Sequence, residues 1–366
     1  MTTPALHFKQ TTANQTVVDK CPALHEAYTP TWYLFSGTIH TIVAARGSPL
    51  PKVTYERELV TMSDGGVVSL DWLVHSTQTF QDNHPTILIH HGAGGSSRDT
   101  YVRMTATALA AKGWRVVAMN SRGCGNTTIK TARASNGFYT GDVRDVATYL
   151  RSKAIPTGPL IGVGFSNGAN LMVKCAGEDG DASKFTAIVS VSNVYDTLAL
   201  DKAFQGSWWN RYMWDAAITT AIKRQFQKVP QSMLPFVDKP EFDWTKINAA
   251  TTLREIDDLM SRRIEGYESL DDYYRDASCA NYIETIRVPV LCISAMDDPI
   301  ATPDLFPEQK ILENDHVILV KTAHGGHLGF LQGDGTTMWT SNVIADYAQA
   351  FEDDAAMTTR AHFAMV

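Results

Sequence analysis

A rhythm constrains this chain more than any other feature. From residue 85 to 193, short apolar runs alternate with amphipathic stretches. "PTILIHHG", "WRVVAMN", "GPLIGVGF" and "FTAIVSVS" have strand length and are rich in β-branched residues. Between them lie "RDTYVRMTATALAAKG", which stops at a glycine suited to a helix end, "TGDVRDVATYLRSK", which sets Val143, Val146 and Leu150 on one helical face, and "NGANLMVKCAG". Strands apolar on both sides need cover on both sides, so the alternation predicts an α/β fold with a mostly parallel central sheet and helices on both faces. The pattern resumes with "VPVLCISAMDD" and "HVILVKTAH", and a last helix is expected through "WTSNVIADYAQAFEDD". Upstream, "KVTYERELVTM" and "VVSLDWLV" flank an Asp64-Gly65 turn, which predicts an antiparallel start to the sheet.

The breaks in the rhythm divide the chain. Residues 1–50 show little regular pattern and read as an N-terminal arm. Residues 51–193 and 287–366 form the core. Residues 194–286 are mostly helical in character and read as a cap inserted over the carboxyl end of the sheet. Within this cap, "FQGSWWNRYMWD" gathers aromatic residues. They are expected to build the cap's own core, with Trp208, Trp209, Tyr212 and Met213 as candidates for lining an acyl pocket. "REIDDL" and "DDYYR" read as helix-surface charges and cap-to-body salt bridges.

Composition bears on partners. A net charge of −7 with no basic run gives no reason to expect nucleic-acid binding. Five scattered cysteines without a C-x-x-C pair form neither a disulfide framework nor a zinc site, which fits a reducing, cytoplasmic setting. The opening "MTTPALHFKQ" does not read as a secretory signal. "TWYLFSGTIHTIVAA", residues 31 to 45, is too short for a span, so any membrane contact is expected to be shallow and peripheral.

The chemistry is expected at strand ends. "GVGFSNGAN" holds Gly164-Phe165-Ser166-Asn167-Gly168, a G-x-S-x-G match with an apolar strand before it and a helical segment after it. On such a sharp strand-to-helix turn a serine is exposed at the top of the sheet, and the glycines let neighbouring elements pack close. That makes Ser166 a candidate nucleophile. "IHHGAGGSS" follows the first strand of the parallel run, and its backbone can supply part of an oxyanion hole, with N–H donors from Ala93 and Asn167. A nucleotide loop is excluded by the missing third glycine and by an Asn120, not an acid, ending the next strand. His90 and His91 lack partners at metal-ligand spacing, so no metal is expected, and the chemistry requires no cofactor.

In this fold the order is Ser, then an acid, then His. Asp297-Asp298 end one strand, and His324 and His327 end the next. Strand alternation cannot choose within either doublet, because a strand buried on both faces has no polar side to count from. His327 is favoured over His324 because it follows the Gly325-Gly326 turn, where the chain can swing over Ser166.

These stretches resemble the YheT-like branch of the α/β-hydrolases (AB hydrolase family 4), which includes eukaryotic medium-chain ester hydrolases and acyltransferases. The resemblance runs over about residues 50 to 350 and is carried by "HHGAGGSS", "KGWRVVAMNSRGCG", "GVGFSNGAN", "LREIDDLMSRRIEGYESLDDYYRDAS", "DDPI" and "HGGHLGF". It implies Ser166 as nucleophile, Asp298 as acid and His327 as base, with Asp297 and His324 as supporting neighbours. The chain departs from the branch at Asn167, where a leucine is usual, and at Gly168-Ala169, where Gly-Gly is usual. That departure bears on substrate preference rather than chemistry, since the backbone N–H remains. The expectation is a serine hydrolase acting on short- to medium-chain carboxylic esters, small-molecule or lipid. An acyltransferase using the same residues, or a non-catalytic binding protein on the same fold, are the alternatives. Dehalogenase and epoxide hydrolase chemistry would need a carboxylate nucleophile.

Overall fold

The computed structural model describes residues 2–46, 51–74, 79–227 and 230–363. Among them, nine strands form one sheet: β1 (Ala5–His7), β2 (Tyr55–Thr61), β3 (Val67–Leu73), β4 (Thr86–His90), β5 (Arg115–Asn120), β6 (Leu160–Phe165), β7 (Ala187–Val191), β8 (Val290–Ala295) and β9 (Val317–Thr322). Their order is β1-β9-β8-β7-β6-β4-β5-β3-β2. Strands β4 to β9 run parallel, whereas β1 at one edge and the β2–β3 hairpin at the other are antiparallel.

The apolar runs explain why the parallel strands sit inside. Every residue of β4, β5 and β6 is buried. Side chains of a strand alternate between faces. Ile87, Ile89, Val116 and Val163 therefore join one core with Val102 of the helix Thr100–Ala111, while Leu88, Val117, Met119 and Leu160 join a second core on the other face. Val343 and Ile344 of the last helix, Trp339–Phe363, complete the first layer. The helices Gly141–Lys153 and Asn167–Asp179 cover the second face, through Val143, Val146, Leu150 and Met172. Each such side chain contributes about 1.5–3 kcal/mol when fully buried.

Between β7 and β8 the chain forms helices, among them Thr197–Gly206, Ala216–Gln227 and Leu270–Ala277. Asp196 caps the first through the Ala199 N–H, and Ser269 caps the third through the Asp272 N–H. The segment has a core of its own in Phe226, Phe236, Phe242, Ile256 and Met260, which is anchored on Ile129 and Ala134 of the body.

Residues 2–46 differ from the unpatterned arm read in the sequence. β1 pairs with β9 and extends the sheet, Thr12–Asp19 is helical, and Gly37–Arg46 forms a helix packed over the sheet end. A three-residue strand is too short to show a period of two. The helix "GTIHTIVAAR" mixes β-branched residues all round, so it has no amphipathic stripe to read. Among the described residues no helix is long and apolar enough to cross a membrane.

Candidate active site

Register brings the candidate residues to one rim. His90 of β4 lies beside Gly164 of β6, Phe165 beside Val191 of β7, and Ala295 of β8 beside Thr322 of β9. The chain therefore leaves the sheet at His91, Ser166, Asp297-Asp298 and His324–His327 along the same carboxyl edge, where ligands of open α/β sheets bind.

Ser166 sits at the tip of the strand-to-helix turn with φ +53° and ψ −117°. That left-handed backbone costs roughly 1–3 kcal/mol for a residue with a side chain. The surroundings hold it there: the Ser166 N–H donates to the Val191 carbonyl at 2.9 Å, and the Asn170 N–H donates to the Ser166 carbonyl at 3.0 Å. The flanking glycines are steric requirements. A Cβ on Gly164 would lie 2.5 Å from the Gly168 oxygen, and one on Gly168 would lie 2.5 Å from the carbonyl oxygens of His90 and His91. Asn170 ties the helix start to the inserted segment, since its amide donates to the carbonyls of Gly137 and Ala277 and accepts the Cys279 N–H.

One histidine of the doublet reaches the serine. His327 Nε2 lies 2.8 Å from Ser166 Oγ, and its Nδ1 lies 2.8 Å from Asp298 Oδ2. An ionised carboxylate can only accept, so the Nδ1 proton faces Asp298 and Nε2 presents its lone pair to the serine hydroxyl. Both partners are buried, His327 at 7% exposed and Asp298 at 3%. Asp298 is itself fixed, its Oδ1 accepting the N–H groups of Ile300 and Ala301 at 2.8 and 2.9 Å. Ser166 Oγ, the His327 ring and the buried Asp298 carboxyl thus form one continuous hydrogen-bonded chain.

The other pair has different work. His324 is half-exposed, and its Nδ1 lies 3.2 Å from Asp297 Oδ2. Asp297 Oδ1 accepts the Gly326 N–H at 2.9 Å, which pins the turn that carries His327. The helix Gly37–Arg46 grips the same loop from above. Thr41 Oγ1 accepts the His327 N–H at 2.8 Å and donates to the Gly37 carbonyl at 2.7 Å. Gly326 has φ +56°, and a Cβ there would lie 2.3 Å from the Gly37 carbonyl oxygen. Ser192 Oγ accepts the Leu328 N–H at 3.2 Å. The loop is therefore held on three sides. Sequence reasoning missed Thr41 and Ser192, because nothing local relates residue 41 to residue 327.

The His-Gly loop is also braced. His91 Nδ1 lies 2.7 Å from the Gly92 carbonyl, and its Nε2 accepts the Ser121 N–H at 3.2 Å. His90 Nε2 lies 2.8 Å from Ser121 Oγ. Burial, with a smaller repulsion from His91, holds His90 down to about 3, so it stays neutral at physiological pH. The Gly92 N–H donates to Tyr101 OH at 3.0 Å, and the Tyr101 ring packs at a tilt of 54° against Phe165 with ring centroids 4.9 Å apart. Beyond this loop a cavity opens, with Ala93, Ser166 and Asn167 in its wall. The rest of its wall comes largely from the inserted helices, through apolar residues such as Leu200, Ile218 and Ile222. Among the described residues, no three His, Cys, Asp or Glu side chains are grouped to hold a metal ion.

The model of the alpha/beta hydrolase fold family matches residues 85–334, most of the chain. The chain belongs to the α/β-hydrolase family. This α/β-hydrolase is 30% identical to an abhydrolase domain-containing protein of Dictyostelium discoideum, over 93% of this chain and 92% of that one. It is 29% identical to human phospholipase ABHD3, over 86% and 76% of the two chains. A Saccharomyces cerevisiae medium-chain fatty acid ethyl ester synthase/esterase 2 is 28% identical over 88% of this chain and 85% of that one. Among solved structures it resembles in fold the Pyrococcus furiosus esterase Pf2001, with TM-score 0.52 at 15% identity over 82% of this chain and 92% of that one.

Two readings of the inserted segment of this α/β-hydrolase are corrected. None of Trp208, Trp209, Tyr212 and Met213 lines the cavity. Trp208 and Tyr212 are 71% and 74% exposed, Trp209 is 47% exposed, and Met213 packs partly against a cluster of Leu200, Phe204 and Trp214. A short helix Trp208–Asn210 runs into a π-helical turn, Arg211–Asp215, which buries Trp214 and Asp215 while Trp208, Trp209 and Tyr212 stay outside. The charged stretch is also mixed in role. Arg254 pairs with Asp201 and Asp271, both within the inserted segment rather than on the body as the cap-to-body reading expected, and Asp257 is buried in the cavity wall.

Proposed function

We propose that this protein is a serine hydrolase that cleaves carboxylic esters with short- to medium-chain acyl groups, and that it lies in the YheT-like branch of its family. The observation that carries this reading is the hydrogen-bonded chain from Ser166 through His327 to Asp298, with Ser166 in the wall of a largely apolar cavity. In the reaction, Ser166 Oγ attacks the ester carbonyl while His327 Nε2 takes its proton. The backbone N–H groups of Ala93 and Asn167 stabilise the oxyanion, and each such donor supplies about 3–4 kcal/mol in related sites. His327 then protonates the departing alcohol, leaving an acyl-Ser166 ester. Water, activated by the same histidine, releases the acid. Asp298 keeps the imidazole in the productive tautomer and stabilises its cationic form. The inserted helices serve as a cap that holds the acyl chain.

A second reading is acyl transfer. The yeast relative is named as both synthase and esterase. If an alcohol takes the place of water in the second half, the same residues transfer the acyl group.

Purified wild type and Ser166→Ala are compared for fluorophosphonate labelling and for turnover of p-nitrophenyl esters of graded chain length. Wild type should label and hydrolyse, and the variant should do neither. A wild type that neither labels nor turns over any ester overturns the reading. Added ethanol separates the two branches, because transfer yields an ethyl ester. Loss of activity in His324→Ala with retention in His327→Ala would move the base to His324.

A further inference from the structure

We infer that the cap wall of the cavity takes a hydrogen-bond-donating group of the substrate and excludes an anionic one, with Asp257 and Gln225 as its specificity-determining side chains. This rests on the ester-hydrolase reading above.

Asp257 and Gln225 line the same cavity as Ser166, and both are buried, at 8% and 3% exposed. Asp257 Oδ1 accepts from Ser261 Oγ at 2.6 Å, and Oδ2 accepts from Tyr274 OH at 3.0 Å. Both partners are neutral, and among the described residues Asp257 makes no ion pair. Its charged neighbours carry its own sign. Asp201 already has Arg254 as its cation, and Asp215 is held by the Leu253 N–H and Thr219 Oγ1. Burial, with added repulsion from Asp201 and Asp215, pushes the Asp257 carboxyl up to about 7. In the same wall, the Gln225 side-chain carbonyl oxygen is buried with no hydrogen-bond partner among the described residues. No Lys, Arg or His belongs to the described wall of this cavity.

The wall thus holds an acidic side chain without a cation and a carbonyl oxygen without a donor, and it carries no cationic side chain among the described residues. A buried carboxyl without a cation and a buried carbonyl without a donor are both costly. A substrate hydroxyl or ammonium brought against them supplies what is missing. A carboxylate or phosphate brought to the same place meets Asp201 and Asp257 with nothing to neutralise it. Sites that hydrogen-bond a substrate group discriminate far more strongly than sites that only fit its shape. A purely structural Asp257, tying its turn to the helix Leu270–Ala277, would leave substrate preference unmoved.

The test is a matched series of hexanoate esters ending in methyl, hydroxyl, ammonium or carboxylate, with the end group placed on the acyl side in one set and on the alcohol side in the other. The readout is the ratio of kcat/KM for donor-ended over carboxylate-ended esters. For wild type this ratio should be about tenfold or more on one of the two sides, and the hydroxyl and ammonium arms tell a polyol-like substrate from an amine. Asp257→Asn should bring the ratio down several-fold, and Gln225→Leu should lower it too. Fluorophosphonate labelling checks that each variant is folded, and Gln225→Leu stands in if Asp257→Asn is not. A wild-type ratio near one on both sides overturns the inference while leaving the hydrolase reading intact. So does a folded Asp257→Asn with an unchanged ratio, or, where that variant does not fold, a folded Gln225→Leu with an unchanged ratio. Absence of turnover and of labelling in wild type overturns the hydrolase reading and this inference with it.

Discussion

Replacing Asp298 by Asn changes one atom and should disable the base. The buried carboxylate bridges two kinds of donor, with the backbone N–H groups of Ile300 and Ala301 on Oδ1 and His327 Nδ1 on Oδ2. In the variant the single amide oxygen keeps the two backbone bonds, so the NH2 group faces Nδ1. Two donors cannot share that 2.8 Å contact. The ring relieves the clash by moving its proton to Nε2, and Ser166 then faces a donor instead of a lone pair. Loss of the correct tautomer in a serine triad costs about 10⁴-fold in kcat, or roughly 5 kcal/mol of barrier. The fold should suffer little, within about 1 kcal/mol, because the backbone bonds survive. The assay is kcat on p-nitrophenyl butyrate with fluorophosphonate labelling rate alongside, and urea denaturation to check stability. Asp297→Asn is the control. Its Oδ1 can still accept the Gly326 N–H, so its activity should stay within about tenfold of wild type. The argument is refuted if Asp298→Asn keeps more than about a tenth of wild-type kcat, or if Asp297→Asn loses as much as Asp298→Asn.

Three further outcomes are expected. Thr41→Val removes the acceptor of the buried His327 N–H, a cost of about 1–3 kcal/mol; kcat should fall by about tenfold or more with KM little changed, and Thr41→Ser should restore it, so steady-state kinetics with equal rates in all three would refute a positioning role. Trp208→Ala and Trp209→Ala should change kcat/KM by less than about twofold and stability by no more than about 0.5 kcal/mol, since neither side chain lines the cavity; a tenfold loss on medium-chain esters would return them to the substrate path. Below its unfolded value of 6.5, His90 takes up a proton only in the unfolded chain until about pH 3, so stability should drop as pH falls through that window. His90 alone accounts for up to about 1.4 kcal/mol per pH unit, and His90→Gln should flatten the slope in urea denaturation between pH 6 and 4; an unchanged slope would sink the assignment.

Much of the site was readable because its parts are local. The elbow around Ser166 needs a strand, a glycine-flanked serine and a helix within one stretch, and all three are written consecutively. The charged motif was harder. "REIDDL" looks like a solvated helix face, yet a π-helical turn at Asp257–Ser261 winds the helix wider and turns Asp257 into the cavity. The extra residue of such a turn shifts helical phase without leaving a mark that periodicity can detect. The same device at Arg211–Asp215 misled the reading of the aromatic cluster.

By itself the sequence determined the alternation of buried strands and covering helices, the hairpin that opens the sheet, and the order serine, acid, histidine along the strand ends. These follow from periodicity and chain order, which act between near neighbours. The glycine turn and the family resemblance pointed to His327 and Asp298, but the physical reason that His327 reaches Ser166 and Asp298 reaches His327 lies in the tertiary structure. Asp297 and Asp298 differ by one position, and after a strand ends the direction of each side chain depends on what the loop is packed against. Here that is a helix 286 residues upstream, whose Thr41 holds the His327 backbone while Asp297 pins the glycine turn before it. Contacts over such a separation exist only once the sheet has brought its edge and its N-terminal segment together.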